Sequence, residues 1–341
     1  MVKKIKILIV TDAWYPQVNG VVTTYSNVIQ NIDHSRYDVE LIEPSQFKTI
    51  KLPFYKEIGL ALVTRRQMRR KILENISGPI GDQEFRVHIA TEGPLGYQAR
   101  RVLEDLGIRY TTAYHTKFPE FIQKIAGIPT RFTRWYFDWF HKNSKFVLVQ
   151  SHSVANEHPT WNTRIWGRGY DDNFFPSGAN RYDLGARGKK VLLYVGRVSK
   201  EKSIEDFCSM KLPNTEKVVV GNGPLKNKLE KKYPDVKFVG YKFGSDLAEY
   251  YRSADVFVFP SRTDTFGIVI LEAMACGTPV AAYPVTGPID QIVNGVNGYT
   301  SQSLSNAVLK CFAIDRSDVY NSVKDISWEK TAHKFVKYLK E

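Results

Sequence analysis

Cysteine is scarce: 341 residues contain three, Cys208, Cys276 and Cys311. Their number is odd and their spacings are too wide for a zinc knuckle or a Cys-x-x-Cys pair. The sequence therefore predicts ordinary packing roles in a reducing compartment, with no disulfide and no structural metal. No run approaches the roughly 20 apolar residues a membrane span needs. The start, MVKKIKILIV, enters a strand directly without a signal peptide's cleavage region, so a cytoplasmic location is expected. A Gly-x-x-x-x-Gly-Lys-Ser/Thr loop is missing, which removes the usual nucleotide hydrolases. There is also no Asp-x-Asp pair to hold a divalent ion, no low-complexity tract, and no long-period repeat beyond two similar halves. Acidic residues are short as well: 35 Asp and Glu against 48 Lys and Arg leave a net charge of +13. Such an excess predicts anionic partners without choosing among nucleic acid, acidic lipid and nucleotide diphosphate.

What is present is apolar enough, at 43% hydrophobic, for well-packed cores, and long enough that two of them are expected. In the first half, strands are predicted at 6–10, 38–42, 87–90, 109–114 and 145–150, with helices at 20–31 and 94–106. A turn-rich stretch follows, and the pattern restarts with strands at 190–195, 217–220, 236–239, 255–259 and 279–282. This alternation predicts two doubly wound parallel sheets in an α/β fold, with a ligand in the cleft between them. The expected domains are 1–176, a linker at 177–188, 189–325, and a closing amphipathic helix at 326–341. The densest basic cluster, Arg65, Arg66, Arg69, Arg70 and Lys71, adjoins the apolar stretch 58–63. Apolar beside basic suggests a helix or loop facing an anionic membrane surface, with a solvated helix face as the alternative. Aromatics interleave with basics mainly at 131–142, where the spacing fits a helix packed on a core better than a nucleic-acid groove.

Loops at strand ends carry the candidate chemistry, because open α/β sheets bind ligands there. After the first strand, Asn19-Gly20 opens a helix and lets backbone N–H groups approach a phosphate or sugar, although such a pair is often only a turn. His115 ends another strand beside hydroxyls and Lys117, where a structural role is the alternative to a catalytic one. In the second half a strand ends in Gly196, followed by Arg197 and Lys202. Two cations there would stabilise a departing diphosphate, or else are merely solvated. Gly221-Asn222-Gly223 forms a further turn, which lacks the third glycine of a dinucleotide fingerprint. Residues 260–280 set Asp264 and Glu272 around a helix opened by Phe266, Gly267 and Ile268. Glu272, among Leu271, Ala273, Met274 and Ala275, must find a donor or stay neutral, and a sugar or ribose hydroxyl would serve.

Together these segments resemble the family 4 retaining glycosyltransferases of GT-B architecture, in which two Rossmann-like domains with parallel sheets face each other across an inter-domain cleft. The resemblance covers nearly the whole chain. Its most specific part, 254–280, is similar to the family's Glu-x7-Glu motif, with Asp264 where the family more commonly has glutamate. Segments 91–96, 114–120 and 263–267 further resemble GDP-mannose-dependent α-mannosyltransferases, close to sulfoquinovosyltransferases.

The resemblance implies that Asn19 and Gly20 face the donor phosphates and the acceptor, and that His115 contacts the donor sugar. It places Arg197 and Lys202 on the diphosphate, Asp264 on sugar hydroxyls, Glu272 on the ribose, and the nucleobase near Gly240, Tyr241 and Lys242. Gly196, Gly221, Phe266, Gly267 and Ile268 complete the implied donor site. The implied co-substrate is a GDP- or UDP-sugar, with no other cofactor, no metal and no specific nucleic acid. The implied acceptor is a lipid or glycan, reached from the cytoplasm or from the inner face of a membrane. Retention without a well-placed nucleophile predicts a same-face displacement, in which the leaving diphosphate helps to deprotonate the acceptor and domain closure excludes water. Two alternatives remain: a sugar-nucleotide epimerase of the same architecture, and a basic nucleic-acid-binding protein.

Overall fold

The computed structural model describes residues 4–17, 19–52, 55–76, 84–115, 129–175 and 188–341. They form two compact units, Met1–Arg168 with Trp328–Glu341, and Gly169–Ser327. Strands in the first are β1 (Ile5–Val10), β2 (Tyr37–Ile42), β3 (Lys48–Leu52), β4 (Tyr55–Leu62), β5 (Phe85–Ile89), β6 (Thr111–Ala113), β7 (Val147–Val149) and β8 (Thr163–Ile165). Six of them make one sheet in the order β2-β1-β5-β6-β7-β8, parallel throughout. From Ile7 to Val10 β1 is a continuous apolar run because helices cover both faces of the sheet, and these four residues are fully buried.

The second unit contributes β9 (Lys190–Val195), β10 (Thr215–Val220), β11 (Val236–Gly240), β12 (Val256–Phe259), β13 (Val280–Ala282) and β14 (Gly298–Thr300). Their order is β11-β10-β9-β12-β13-β14, again parallel. Alternate residues of these strands feed two separate cores: Leu193, Val218 and Phe257 on one face, Leu192, Val219 and Val258 on the other. This is the doubly wound order of nucleotide-binding sheets, and it reverses between β9 and β12. The rule for such sheets puts a ligand crevice outside the carboxyl ends of those two strands. In the first sheet the reversal falls between β1 and β5.

Three differences from expectation have local causes. The stretch 58–62 belongs to an antiparallel hairpin of β3 with β4, and the basic cluster lies on the helix Arg65–Asn75, started by a Thr64–Gln67 capping box. That helix turns Met68 and Ile72 into the core and its arginines outward, so its apolar stripe is already used. Arg65 pairs with Asp105 and Arg70 with Glu74. β8 and β14 are three residues each, too short to show a period. The second unit begins at Gly169, earlier than residue 176, because Phe174 enters its core and Arg252 holds the Asn173 and Phe175 carbonyls. Of the expected linker only residue 188 is among those described.

The helix Thr130–His141 buries Phe137, Phe140 and His141 and leaves Phe132 and Trp135 exposed. Cys208, Cys276 and Cys311 are buried, and burial pushes each thiol up to about 12. Among the described residues no helix is long and apolar enough to cross a membrane.

The last helix, Trp328–Lys340, follows the second unit in sequence yet packs on the first. Phe335 is fully buried there, its ring 5.0 Å from His88 and 5.5 Å from Trp166. Phe335→Ala is expected to lower the unfolding free energy by about 3–5 kcal/mol, read from urea denaturation. A loss below about 1 kcal/mol would show that the helix is not a structural part of that unit.

Candidate active site

At the carboxyl end of β9, Gly196 turns the chain, and the buried Tyr194 donates its hydroxyl to the Arg197 carbonyl at 2.7 Å, fixing the loop. Gly221 ends β10 at φ 134°, and a Cβ there would meet the Gly196 carbonyl oxygen at 2.0 Å. Only glycine lets these two turns lie backbone against backbone. The Gly221 N–H then donates to the Gly240 carbonyl at 2.7 Å, so Gly196, Gly221 and Gly240 form one row along the sheet edge. Beyond Gly240, Tyr241 and Phe243 are exposed and stack with centroids 5.9 Å apart. Lys242 lies 5.7 Å from the Tyr250 ring.

Across the reversal, the loop after β12 carries Asp264, whose Oδ1 accepts from Lys202 Nζ at 2.6 Å. Lys202 comes from the single turn Lys200–Lys202 after β9, so this pair ties together the two loops flanking the crevice. Gly267, at φ 83°, precedes the helix Ile268–Ala275 without any side-chain cap, and a Cβ there would press on the Phe259 ring at 3.0 Å. The Ile270 amide donates to the Gly267 carbonyl at 2.9 Å, no side chain caps this end of the helix, and the helix dipole there favours an anion. Glu272, on that helix, already has a protein donor: Tyr251 donates its hydroxyl to Oε2 at 2.9 Å. Burial raises the carboxyl to about 7 even so, with Tyr251 opposing the shift and Asp171 adding to it. Glu272 thus both finds a donor and is half neutral near pH 7.

In the first unit, Asn19 caps the helix Gly20–Gln30, its Oδ1 accepting from the Val21 and Val22 amides at 3.0 and 3.1 Å. Those two amides are therefore occupied by the protein itself. Asp12, in the loop after β1, accepts from Leu95 N–H at 2.7 Å, from the Thr91 hydroxyl at 2.8 Å and from Gly96 N–H at 3.3 Å. It joins the loops at the first sheet's reversal. Burial outweighs these bonds and raises its carboxyl to about 6.

His115, after β6, is engaged at both ring nitrogens. Nδ1 receives Arg168 at 2.8 Å and Gln150 at 3.0 Å, and Nε2 lies 3.1 Å from the Tyr25 hydroxyl. The helix opened by Asn19 and Gly20 thus reaches His115 through Tyr25. Burial, then the charges of Arg168, His88 and His141, hold the His115 ring well below the ordinary histidine range.

The structure brings together Gly196 with Gly221 and Gly240, and Lys202 with Asp264. It sets Glu272 against Tyr251 and places Asn19, Gly20 and His115 in the other unit. Residues 116–120 of the segment resembling the mannosyltransferases lie outside the described residues. Sequence reasoning missed Asp12, Tyr25, Gln150, Arg168 and Tyr251. Tyr25 falls inside an apolar stripe with Val22 and Val28, and nothing in its neighbours marks it.

Residues 18–174 match the family model described as Glycosyltransferase Family 4, and 179–309 that of Glycosyl transferases group 1. A GDP-mannose-dependent alpha-mannosyltransferase of Corynebacterium glutamicum is 27% identical, over 87% of this chain and 77% of that protein. The sulfoquinovosyl transferase SQD2 of Arabidopsis thaliana is 28% identical, over 82% and 56%. Among solved structures, sucrose-phosphate synthase from Thermosynechococcus elongatus superposes with a TM-score of 0.74 at 20% identity, covering 98% of each chain. Anabaena HepE in complex with UDP-glucose gives 0.72 at 17%, covering 98% and 99%. At these identities the structural likeness establishes the fold.

A raised carboxyl holds its proton more tightly in the folded state. The ionisation cost at Glu272 is thus absent below about 4.5 and accumulates as pH rises toward about 7. Glu272→Gln is expected to gain stability relative to the parent across that window, seen as a growing difference in urea midpoint. A constant difference would refute the perturbed ionisation.

Proposed function

The chain belongs to the family 4 glycosyltransferases and transfers a sugar from a nucleotide-sugar donor; from that premise we propose a retaining, metal-independent hexosyltransferase that moves mannose from GDP-mannose to a hydroxyl of a lipid or glycan. The observation that carries the site assignment is the Lys202–Asp264 pair across the β9/β12 reversal, beside the uncapped helix at Gly267. The names of the relatives support the choice of donor, and the absence of an Asp-x-Asp pair supports a metal-free leaving group.

The chemistry follows from what each group can donate. A lysine ammonium has three N–H bonds, and Asp264 takes one, leaving two for diphosphate oxygens. Arg197 supplies a second cation, and the amides at the start of Ile268–Ala275 supply a dipole. As the bond from the anomeric carbon to the diphosphate lengthens, negative charge grows on the leaving group. These contacts then strengthen toward the transition state, which is what accelerates a step. Asp264, oriented by Lys202, accepts from a sugar hydroxyl. The departing diphosphate takes the acceptor's proton while the acceptor oxygen bonds to the same face of the sugar. Glu272 Oε2 is held by Tyr251, so the ribose contact falls to the other oxygen.

Tyr241 and Phe243 offer a stacking surface for the base. The outward arginines of Arg65–Asn75 suit a peripheral contact with an anionic cytoplasmic membrane face, made by charge alone. An epimerase would need an acid and a base at the sugar, whereas the His115 ring has both nitrogens occupied by protein groups.

Lys202→Ala and Arg197→Ala are each expected to reduce kcat by roughly 100-fold or more while leaving the fold intact, as for other groups that stabilise developing charge. Nucleotide diphosphate release with GDP-mannose measures this. Undiminished turnover in both variants would reject the leaving-group roles.

A further inference from the structure

The core beside the helix Ile268–Ala275 holds a tyrosine whose ring and hydroxyl serve different ends. The Tyr251 ring is fully buried, edge-on to Phe174 at 5.9 Å and to Phe257 at 5.5 Å. Phenylalanine would fill that space as well, so packing alone does not call for the hydroxyl. A buried hydroxyl is costly unless it is bonded, and among the described residues this one has a single partner, Glu272 Oε2 at 2.9 Å.

The bond is braced from behind. Tyr251 lies on the helix Gly244–Ser253, and its carbonyl accepts from the Thr278 hydroxyl at 2.6 Å. The Arg316 guanidinium donates to Thr278 Oγ1 at 2.9 Å, to the Arg252 and Ala254 carbonyls at 3.0 and 2.7 Å, and to the Cys276 carbonyl at 3.2 Å. One planar cation thus ties together the carboxyl ends of both helices, and with them Tyr251 and Glu272. All of these residues belong to the second unit.

An ionised carboxylate only accepts, through lone pairs on two oxygens. Tyr251 occupies Oε2. The other oxygen, Oε1, accepts no hydrogen bond from the protein among the described residues, on a side chain that is half-buried. We propose that Tyr251 is a positioning residue for the donor: by holding Oε2 it presents Oε1 to the vicinal hydroxyls of the nucleotide's ribose, and so sets a preference for ribonucleotides over analogues lacking those hydroxyls. This rests on the reading above in which Glu272 meets the ribose. With the carboxylate held, a sugar without hydroxyls would leave Oε1 desolvated and unpaired, and a site of that kind rejects such an analogue strongly. Without Tyr251 the glutamate is free to turn toward water, and most of the discrimination goes with it.

The test is calorimetric binding of GDP and UDP to the full chain, each beside its 2′,3′-dideoxy analogue. At about pH 8.5 Glu272, raised to about 7 chiefly by burial, is ionised. In the wild type the dideoxy analogue of whichever nucleotide binds more tightly is expected to bind about 10- to 100-fold more weakly than its parent. In Tyr251→Phe, which keeps the ring, the parent should weaken toward the analogue until the two lie within about threefold of each other, the analogue's own affinity being unchanged. In a Glu272→Ala background the same substitution should alter neither affinity by more than about twofold. With GDP-mannose, Tyr251→Phe should raise the donor KM and leave kcat within about twofold, because a ribose contact is alike in ground and transition states.

Equal weakening of parent and analogue in Tyr251→Phe, full discrimination retained there, or an undiminished effect in Glu272→Ala overturns the proposal while leaving the ribose reading intact. A wild type that binds parent and analogue alike rejects the ribose reading and the proposal with it, and that measurement needs no variant to fold.

Discussion

Strand order reverses between β9 and β12, so the connections leaving these neighbours pass to opposite faces of the second sheet and leave a gap above their carboxyl ends. Everything assigned to the donor depends on that gap. The loop after β9 brings Gly196, Arg197 and Lys202 to one side. The loop after β12 brings Asp264 and the helix start at Gly267 to the other. The Lys202–Asp264 bond spans the two. The glycine at 221 matters for the same reason, because any side chain would push the β9 and β10 turns apart by striking the Gly196 carbonyl.

The two units handle charge differently. In the second, cations and a helix dipole stand at the surface of the crevice, ready for an anion. In the first, burial disfavours the charged form of several polar groups at or near the carboxyl ends of the strands. Glu92 is raised to about 8 and its neighbour His141, with Nε2 at 3.3 Å from Oε1, is lowered to about 3, both by burial. The proton therefore stays on Glu92 near pH 7, and the two side chains meet as a neutral acid and a neutral imidazole. His88 is lowered to about 3 by the same cause.

Much of this was legible in the sequence wherever a strand is long and apolar. β1, β9 and β12 read directly, and so did the loops that follow them, including Gly196, Lys202, Asp264 and Gly267. The hairpin of β3 and β4 did not, because Gly59 and charged residues break its alternation, and its apolar end beside Arg65 imitates a membrane-facing segment. The boundary at Gly169 was hidden by a later turn-rich stretch, whereas the tie to the second unit is made by Phe174 and Arg252, which are distant in sequence. Tyr251 at Glu272, and Tyr25 and Arg168 at His115, come from elements 21, 90 and 53 residues away from their partners, a pairing that no local pattern encodes.

The central claim is that a nucleotide diphosphate binds at the β9/β12 reversal. Amide hydrogen exchange of the full chain with and without saturating GDP tests it most directly. The account predicts slowed exchange confined to the loops after β9, β10 and β12, with the largest effect at the amides that open the helix Ile268–Ala275. Protection concentrated elsewhere, with those loops unchanged, would contradict it.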